Sequence, residues 1–98
     1  MNSTDFEAFR TDAHLRGFDD VLVREWAPGL ATGTHEHPFD VEARVVRGEV
    51  WLAVDGQTRH LQAGDAFTLA RDLPHAESYG PDGATFWVAR RNAPAGLA

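Results

Sequence analysis

Apolar and polar residues alternate along most of this chain with a period of two, in short runs broken by Gly, Pro and Asp. That period places successive side chains on opposite faces of an extended strand. It predicts strands over residues 21–26, 41–46, 49–54, 58–62, 66–69, 75–79 and 85–90. Asp55-Gly56 between two such runs is a strong hairpin signal, because both residue types tolerate the positive φ of a tight two-residue turn. Ala63-Gly64-Asp65 and the run Tyr79-Gly80-Pro81-Asp82-Gly83 also carry turn chemistry. Helical spacing occurs once, over residues 3–16, where Phe6, Phe9 and Ala13 share a stripe. Thr4-Asp5-Phe6-Glu7 fits a capping box at its start, and Gly17 is a plausible stop.

Many short strands with turn residues between them imply an antiparallel β-sandwich or barrel. The strand–helix alternation that a parallel sheet needs is missing. The expected organisation is a helical segment at 1–20 packed outside the barrel, a barrel over 21–91, and a loose Ala-, Pro- and Gly-rich tail at 92–98.

Composition narrows the picture without changing it. The 98 residues suffice for one domain with a modest core, and 43% hydrophobic with 24% charged residues is an ordinary globular balance. Fifteen acidic against nine basic residues give a net charge of -6, which argues against a nucleic-acid-binding surface. The chain carries no recognisable DNA-binding segment, so it does not read as a complete transcription factor. Cysteine is absent, so disulfides and thiolate metal sites are excluded. No apolar run approaches membrane-spanning length, and residues 1–10 lack the apolar stretch of a signal peptide, so a cytoplasmic protein is expected.

The candidate chemistry lies in Gly33-Thr34-His35-Glu36-His37-Pro38-Phe39-Asp40. If this stretch is extended, His35 and His37 project from one face, spaced to grip one ion. Imidazole is the commonest neutral metal ligand. His75, after Pro74, opens a later strand, and convergence of His35, His37 and His75 inside the barrel is expected. His14, in the helix, and His60, beside Arg59 on a hairpin strand, read as ordinary surface histidines.

The chain resembles the cupin superfamily, in particular its small single-domain, RmlC-like members. The first cupin motif runs Gly, five residues, His-x-His, three or four residues, Glu, six residues, Gly, and Gly29, His35, His37 and Gly48 fall at matching places. The second motif runs Gly, five residues, Pro-x-Gly, two residues, His. Gly64 and His75 lie in register with it, while Ala70 replaces the Pro and Asp72 the second Gly. The resemblance spans residues 21–90 and implies a cupin-type antiparallel barrel, a jelly-roll-like double-stranded β-helix, with one N-terminal helix.

The motif's carboxylate is where the chain departs. Counting between His35 and Gly48 puts its position at Val41, with Asp40 and Glu42 one step to either side. A one-residue offset turns a side chain to the other face, so Val41 is expected inside and Asp40 and Glu42 outside, unless a bulge re-aims one of them. Three readings follow: a three-histidine site, a site with Glu42 or Asp40 as fourth ligand, and no metal. The Asn that normally ends the second motif is replaced by Tyr79, which either donates a hydrogen bond or packs.

Three imidazoles suit divalent Fe, Zn, Ni, Cu or Mn and leave coordination positions open. By alternation, Val50, Leu52 and Val54 share one face and Trp51 and Ala53 the other; the resemblance to cupin barrels implies that the first set faces inward, so Trp51 is expected outside, against the Phe6–Phe9 stripe or a second subunit. Arg44 reads as a surface partner of Glu42. The pocket candidates are Phe39, Val41, Val50, Leu52, Phe67, Tyr79 and Phe86. Two functional classes remain open: a metal-dependent, oxygenase-type enzyme on a small organic substrate, which the resemblance makes possible, and a non-catalytic small-ligand or sensor module. A small-molecule partner and a homodimer are expected in either case, and no acid or base beyond the ligands is evident at the site.

Overall fold

The structure, a computed structural model, describes residues 5–92. Among these residues one helix, α1 (Phe6–Leu15), precedes five strands: β1 (Asp20–Trp26), β2 (Asp40–Val54), β3 (Gln57–Gln62), β4 (Ala66–Leu69) and β5 (His75–Arg91). All strand pairings are antiparallel. The sheet order is β1-β5-β2-β3, with β4 also on β2.

The seven predicted strands become five because two pairs fuse. Residues 41–46 and 49–54 run on as β2, and residues 75–79 and 85–90 run on as β5. The glycines and Asp82 between them bend the strands and do not end them. β2 and β5 pair along their length, with register shifts between Val45 and Arg47 and between Gly48 and Val50. Bulges of this kind kink a strand and tighten its twist. The kink folds the sheet into two layers. One holds β1, the second half of β5, the first half of β2, and β4. The other holds the first half of β5, the second half of β2, and β3.

The corner changes side-chain parity in both strands together. Val41, Ala43 and Val45 are buried before it and Val50 and Leu52 after it; in β5 the buried set passes from His75, Glu77 and Tyr79 to Ala84, Phe86 and Val88. Both halves therefore keep their apolar face inward, and a single core cluster joins the layers. Full burial of a side chain such as Val50 or Leu52 contributes about 1.5–3 kcal/mol. Gly48 sits at the corner with φ 78°, where an added Cβ would drive into the Gly83 carbonyl. The hairpin at Asp55-Gly56 forms as expected, with φ 52° and 77° at its two residues.

The N-cap of α1 is Asp5, whose side chain accepts from the Glu7 amide; Thr4 of the expected capping box lies outside the described residues, as does the tail from residue 93. The helix does not lie on Trp51. Phe6 and Phe9 pack on Trp87, with ring centroids 5.6 and 5.8 Å away, over a second cluster with Ala13, Phe18, Val21 and Ala89. The short link from α1 into β1 dictates this seat, since it drops the helix onto the outer face of β1 and its neighbour β5. Trp51 is 36% exposed and stacks on His60, its cross-strand partner, 4.5 Å away. His60 in turn contacts Glu49 at 2.7 Å.

Candidate metal centre

Residues 27–39 connect β1 to β2 along the free edge of β5. Two isolated bridges tie them there, Ala31 to Ser78 and His35 to His75. At the second bridge the amides and carbonyls of His35 and His75 exchange two hydrogen bonds of 2.9 Å. Directly opposed residues of an antiparallel pair project from the same face, so this bridge brings the two imidazoles together. His37, two residues on, shares the face. Its carbonyl accepts from the Asp72 amide at 2.8 Å, while Arg71 donates to the Pro38 carbonyl and, through its amide, to Asp40. The rim is thereby fixed by the loop that follows β4.

The ring centroids lie 4.4 Å apart for His35 and His75, 4.9 Å for His37 and His75, and 5.1 Å for His35 and His37. One nitrogen from each of the three falls within 4.8 Å of the others. His35 Nδ1 lies 2.7 Å from the Gly33 carbonyl and His75 Nδ1 lies 2.9 Å from the Leu73 carbonyl. A carbonyl only accepts, so each Nδ1 carries the proton and each Nε2 keeps its lone pair. His75 is 2% exposed and its Nε2 has no hydrogen-bond partner among the described residues. An unpaired buried acceptor is costly, and an ion shared with the neighbouring imidazoles would satisfy it. The residues present therefore fit a divalent cation. Burial lowers the pKa of His37 from its ordinary value, helped by its two histidine neighbours, Arg24 and Arg90. It stays in the neutral, ligating form further into acid than a free imidazole.

The carboxylates flanking position 41 face away. Val41 lines the pocket, whereas Glu42 accepts two hydrogen bonds from Arg16 of α1, at 2.9 and 2.7 Å. No bulge re-aims Asp40 or Glu42. Arg44 lies on that outer face, 5.8 Å from the Phe9 ring. Of the expected pocket residues, Phe39, Val41, Phe67 and Phe86 line an open-mouthed pocket of about 530 Å³, solvent in its mouth included. Val50, Leu52 and Tyr79 lie in the core cluster and do not line it. Phe39 stacks on His37 at 4.9 Å, with the rings parallel to within 1°.

The structure adds polar residues to this pocket that the motif spacing did not single out. Glu77 lines it while only 8% exposed, and it accepts the Tyr79 phenol hydrogen bond. An acidic group is therefore present beside the histidines. Its position was legible by alternation, since it is two residues beyond His75 on the same strand face. Tyr79 both donates and packs, stacking on Trp26 at 5.1 Å. Its burial, and then Glu77, push the phenol pKa well above the ordinary value, so it stays a donor. Arg24 and Arg90 also line the pocket.

Comparison with known proteins bears on the fold and the site together. A family model described as Cupin domain matches residues 22–84. The chain is 30% identical over 59 residues to the HTH-type transcriptional regulator PuuR of Escherichia coli, a match covering 59% of this chain and 32% of the regulator. It therefore spans about a third of that relative's length. A conserved protein with a double-stranded β-helix domain from Klebsiella pneumoniae superposes with a TM-score of 0.66 at 27% identity, over 84% of this chain and 74% of that one. The polyketide cyclase RemF from Streptomyces resistomycificus gives a TM-score of 0.63 at 26% identity, over 82% of this chain and 60% of that one. Among the described residues no helix is long and apolar enough to cross a membrane.

Proposed function

The chain belongs to the cupin family, and from that premise we propose that it holds a divalent metal ion on His35, His37 and His75 and acts on a small organic molecule bound beside it. The observation that carries this reading is the buried Nε2 of His75, unpartnered among the described residues, in a ring whose centroid lies 4.4 and 4.9 Å from those of two further imidazoles. Such an ion supplies Lewis acidity and, if it is iron, redox chemistry. The protein's own residues would do the rest. The carbonyls of Gly33 and Leu73 hold two rings in the ligating tautomer. Trp26, Phe39, Phe67 and Phe86 exclude water from the pocket. Glu77 takes the Tyr79 hydrogen bond on Oε1, which leaves Oε2 to accept from a hydroxyl or amine of the ligand. That carboxylate supports the enzyme over a non-catalytic ligand-binding module, and the structurally similar RemF is an enzyme by name, a polyketide cyclase.

The test is elemental analysis of untagged protein together with zinc titration of His35→Ala, His37→Ala and His75→Ala. One equivalent of divalent metal per chain is expected. Each variant should lose at least tenfold to a hundredfold in affinity. Wild-type protein that takes up no more zinc than the triple variant would end the metal reading.

A second reading rests on the match to PuuR. A cupin domain alongside a regulatory segment would sense a small ligand and release it unchanged. A ligand that raises the melting temperature without turnover supports it, and turnover of that ligand refutes it. Under either reading we place the protein in the cytoplasm as a homodimer joined through the Trp51 face, which light scattering of wild type and Trp51→Ala would test.

A further inference from the structure

We propose that the pocket selects a small carboxylate with an apolar body, and that Arg24, Arg90 and the Trp26 indole recognise its anionic group. This rests on the proposed site and names what binds there.

The inner face of β1 would be expected to be wholly apolar, since it closes the core. Leu22, Arg24 and Trp26 share that face, and their partners on β5 are Val88, Phe86 and Ala84. Arg24 shares that face but is exposed at the mouth of the pocket, with its guanidinium 4.6 Å from the Trp26 ring. No ion pair of Arg24 occurs among the described residues. Arg90, on the neighbouring strand, lies 5.0 Å from the Phe39 ring. It shares one terminal nitrogen with Asp20 at 3.4 Å.

Three buried side-chain atoms lack a hydrogen-bond partner among the described residues: Trp26 Nε1, His75 Nε2 and Arg90 Nε. The imidazole nitrogen is accounted for by the proposed ion. The other two are N–H donors on residues that line the same pocket. Arg24 has no ion pair among the described residues and stands with Arg90 on the pocket lining, so a negatively charged acceptor entering the pocket would meet guanidinium donors. Planar guanidinium laid on an aromatic face has already lost much of its freedom, so it binds a carboxylate with little further ordering. Glu77 is the opposing charge in the pocket. Its Oε1 is engaged by Tyr79, and with Arg90 already paired to Asp20 it offsets one of the remaining positive charges, Arg24 and the ion. The remaining walls, including Leu22, Val41, Phe67 and Val88, are hydrocarbon, which fixes the rest of the ligand as apolar.

The probes are benzoate and 3-methylbutanoate, each against its neutral amide, titrated calorimetrically into zinc-loaded and metal-free protein. Zinc affinity is measured first and by itself, so that failure of the metal site is recorded separately. The carboxylates should bind at least tenfold more tightly than the amides. Arg24→Gln and Arg90→Gln should each lose about tenfold or more of carboxylate affinity and leave amide affinity unchanged. Arg24→Lys should recover part of the loss. Both Gln variants should bind zinc at least as tightly as wild type and keep its melting temperature within a few degrees, which separates recognition from folding. If zinc binds but acids and amides bind alike, or no carboxylate binds, the anion assignment is wrong while the metal site stands. Carboxylate preference that survives in both Gln variants would mean that the ion alone selects, which also overturns it. If zinc does not bind, the metal-free titration with the same variants decides the assignment.

Discussion

Removing the carboxylate of Glu42 distinguishes its two possible employments, metal ligand or clamp for the helix. Its two oxygens accept from Arg16 at 2.9 and 2.7 Å, a bidentate geometry. Such pairs are stronger than single contacts. The pair is nevertheless partly wet, with side-chain exposures of 42% for Arg16 and 27% for Glu42. Solvent screening holds exposed pairs to about 0.2–1 kcal/mol, so a coupling of about 1 kcal/mol is the upper expectation. Glu42→Gln and Arg16→Gln should each lower the melting temperature by about 4–8 °C at most, and the double variant should lose little more than either alone. The hydrogen bond from Arg16 holds the Glu42 carboxyl below its usual value, against the opposing effect of burial. A carboxyl depressed on folding adds stability above its unfolded pKa, and that increment disappears as pH falls through the folded value. The gap between wild type and Glu42→Gln should therefore be full at pH 7 and close progressively below about pH 4.5. Urea denaturation of the four proteins at pH 7 and pH 3 reads the cycle, and zinc titration at pH 7 reads the site. Additive losses would refute the clamp. Loss of zinc binding in Glu42→Gln would refute the face assignment on which the three-histidine site depends.

Because His37 is held below the ordinary imidazole pKa, protonation of that ligand should compete with zinc only in more acidic solution than for a free imidazole, which a chelator competition series from pH 7.5 to 5 on wild type would show. The same shift means that the unfolded chain binds more protons as pH drops past 6.5, so the metal-free protein should lose stability there. Gly48→Ala should cost about 3 kcal/mol or prevent folding, since the new methyl meets the Gly83 carbonyl; Gly56→Ala, with open space around it, is the control for φ alone, and circular dichroism melts compare them. Asp72 adopts φ 62°, so Asp72→Gly should be neutral or stabilising by up to about 1 kcal/mol and Asp72→Val destabilising by about 1–2 kcal/mol, read by urea midpoints.

Much of the fold was legible because alternation and turn chemistry act locally. The antiparallel β architecture and the Asp55-Gly56 turn follow from alternation and turn residues alone. The barrel, the inward set Val50, Leu52 and the outward turn of Glu42 follow once the resemblance to the cupin motifs sets the register. Two features were not legible for definite reasons. Gly80, Pro81, Asp82 and Gly83 look the same whether a chain reverses or only kinks, and the choice is made by the long β2–β5 pairing. The seat of α1 depends on which outer face its short link reaches, and both Trp51 and Trp87 were available to cover it. Asp72 shows the reverse: the family's Gly position has kept a left-handed backbone after losing the glycine. Glu77 and Arg24 carry no motif signal; only the rule that every second residue of a strand shares a face places them on the pocket side.

The matched corner in β2 and β5 makes the two strands hostage to each other's length. Shortening either one by a single residue at Gly48 or near Gly83 would turn that strand's oily half toward water while its partner stayed put. Viable insertions and deletions at this elbow should therefore arise as compensating pairs, one in each strand, and a screen of random length variants would recover them together or not at all.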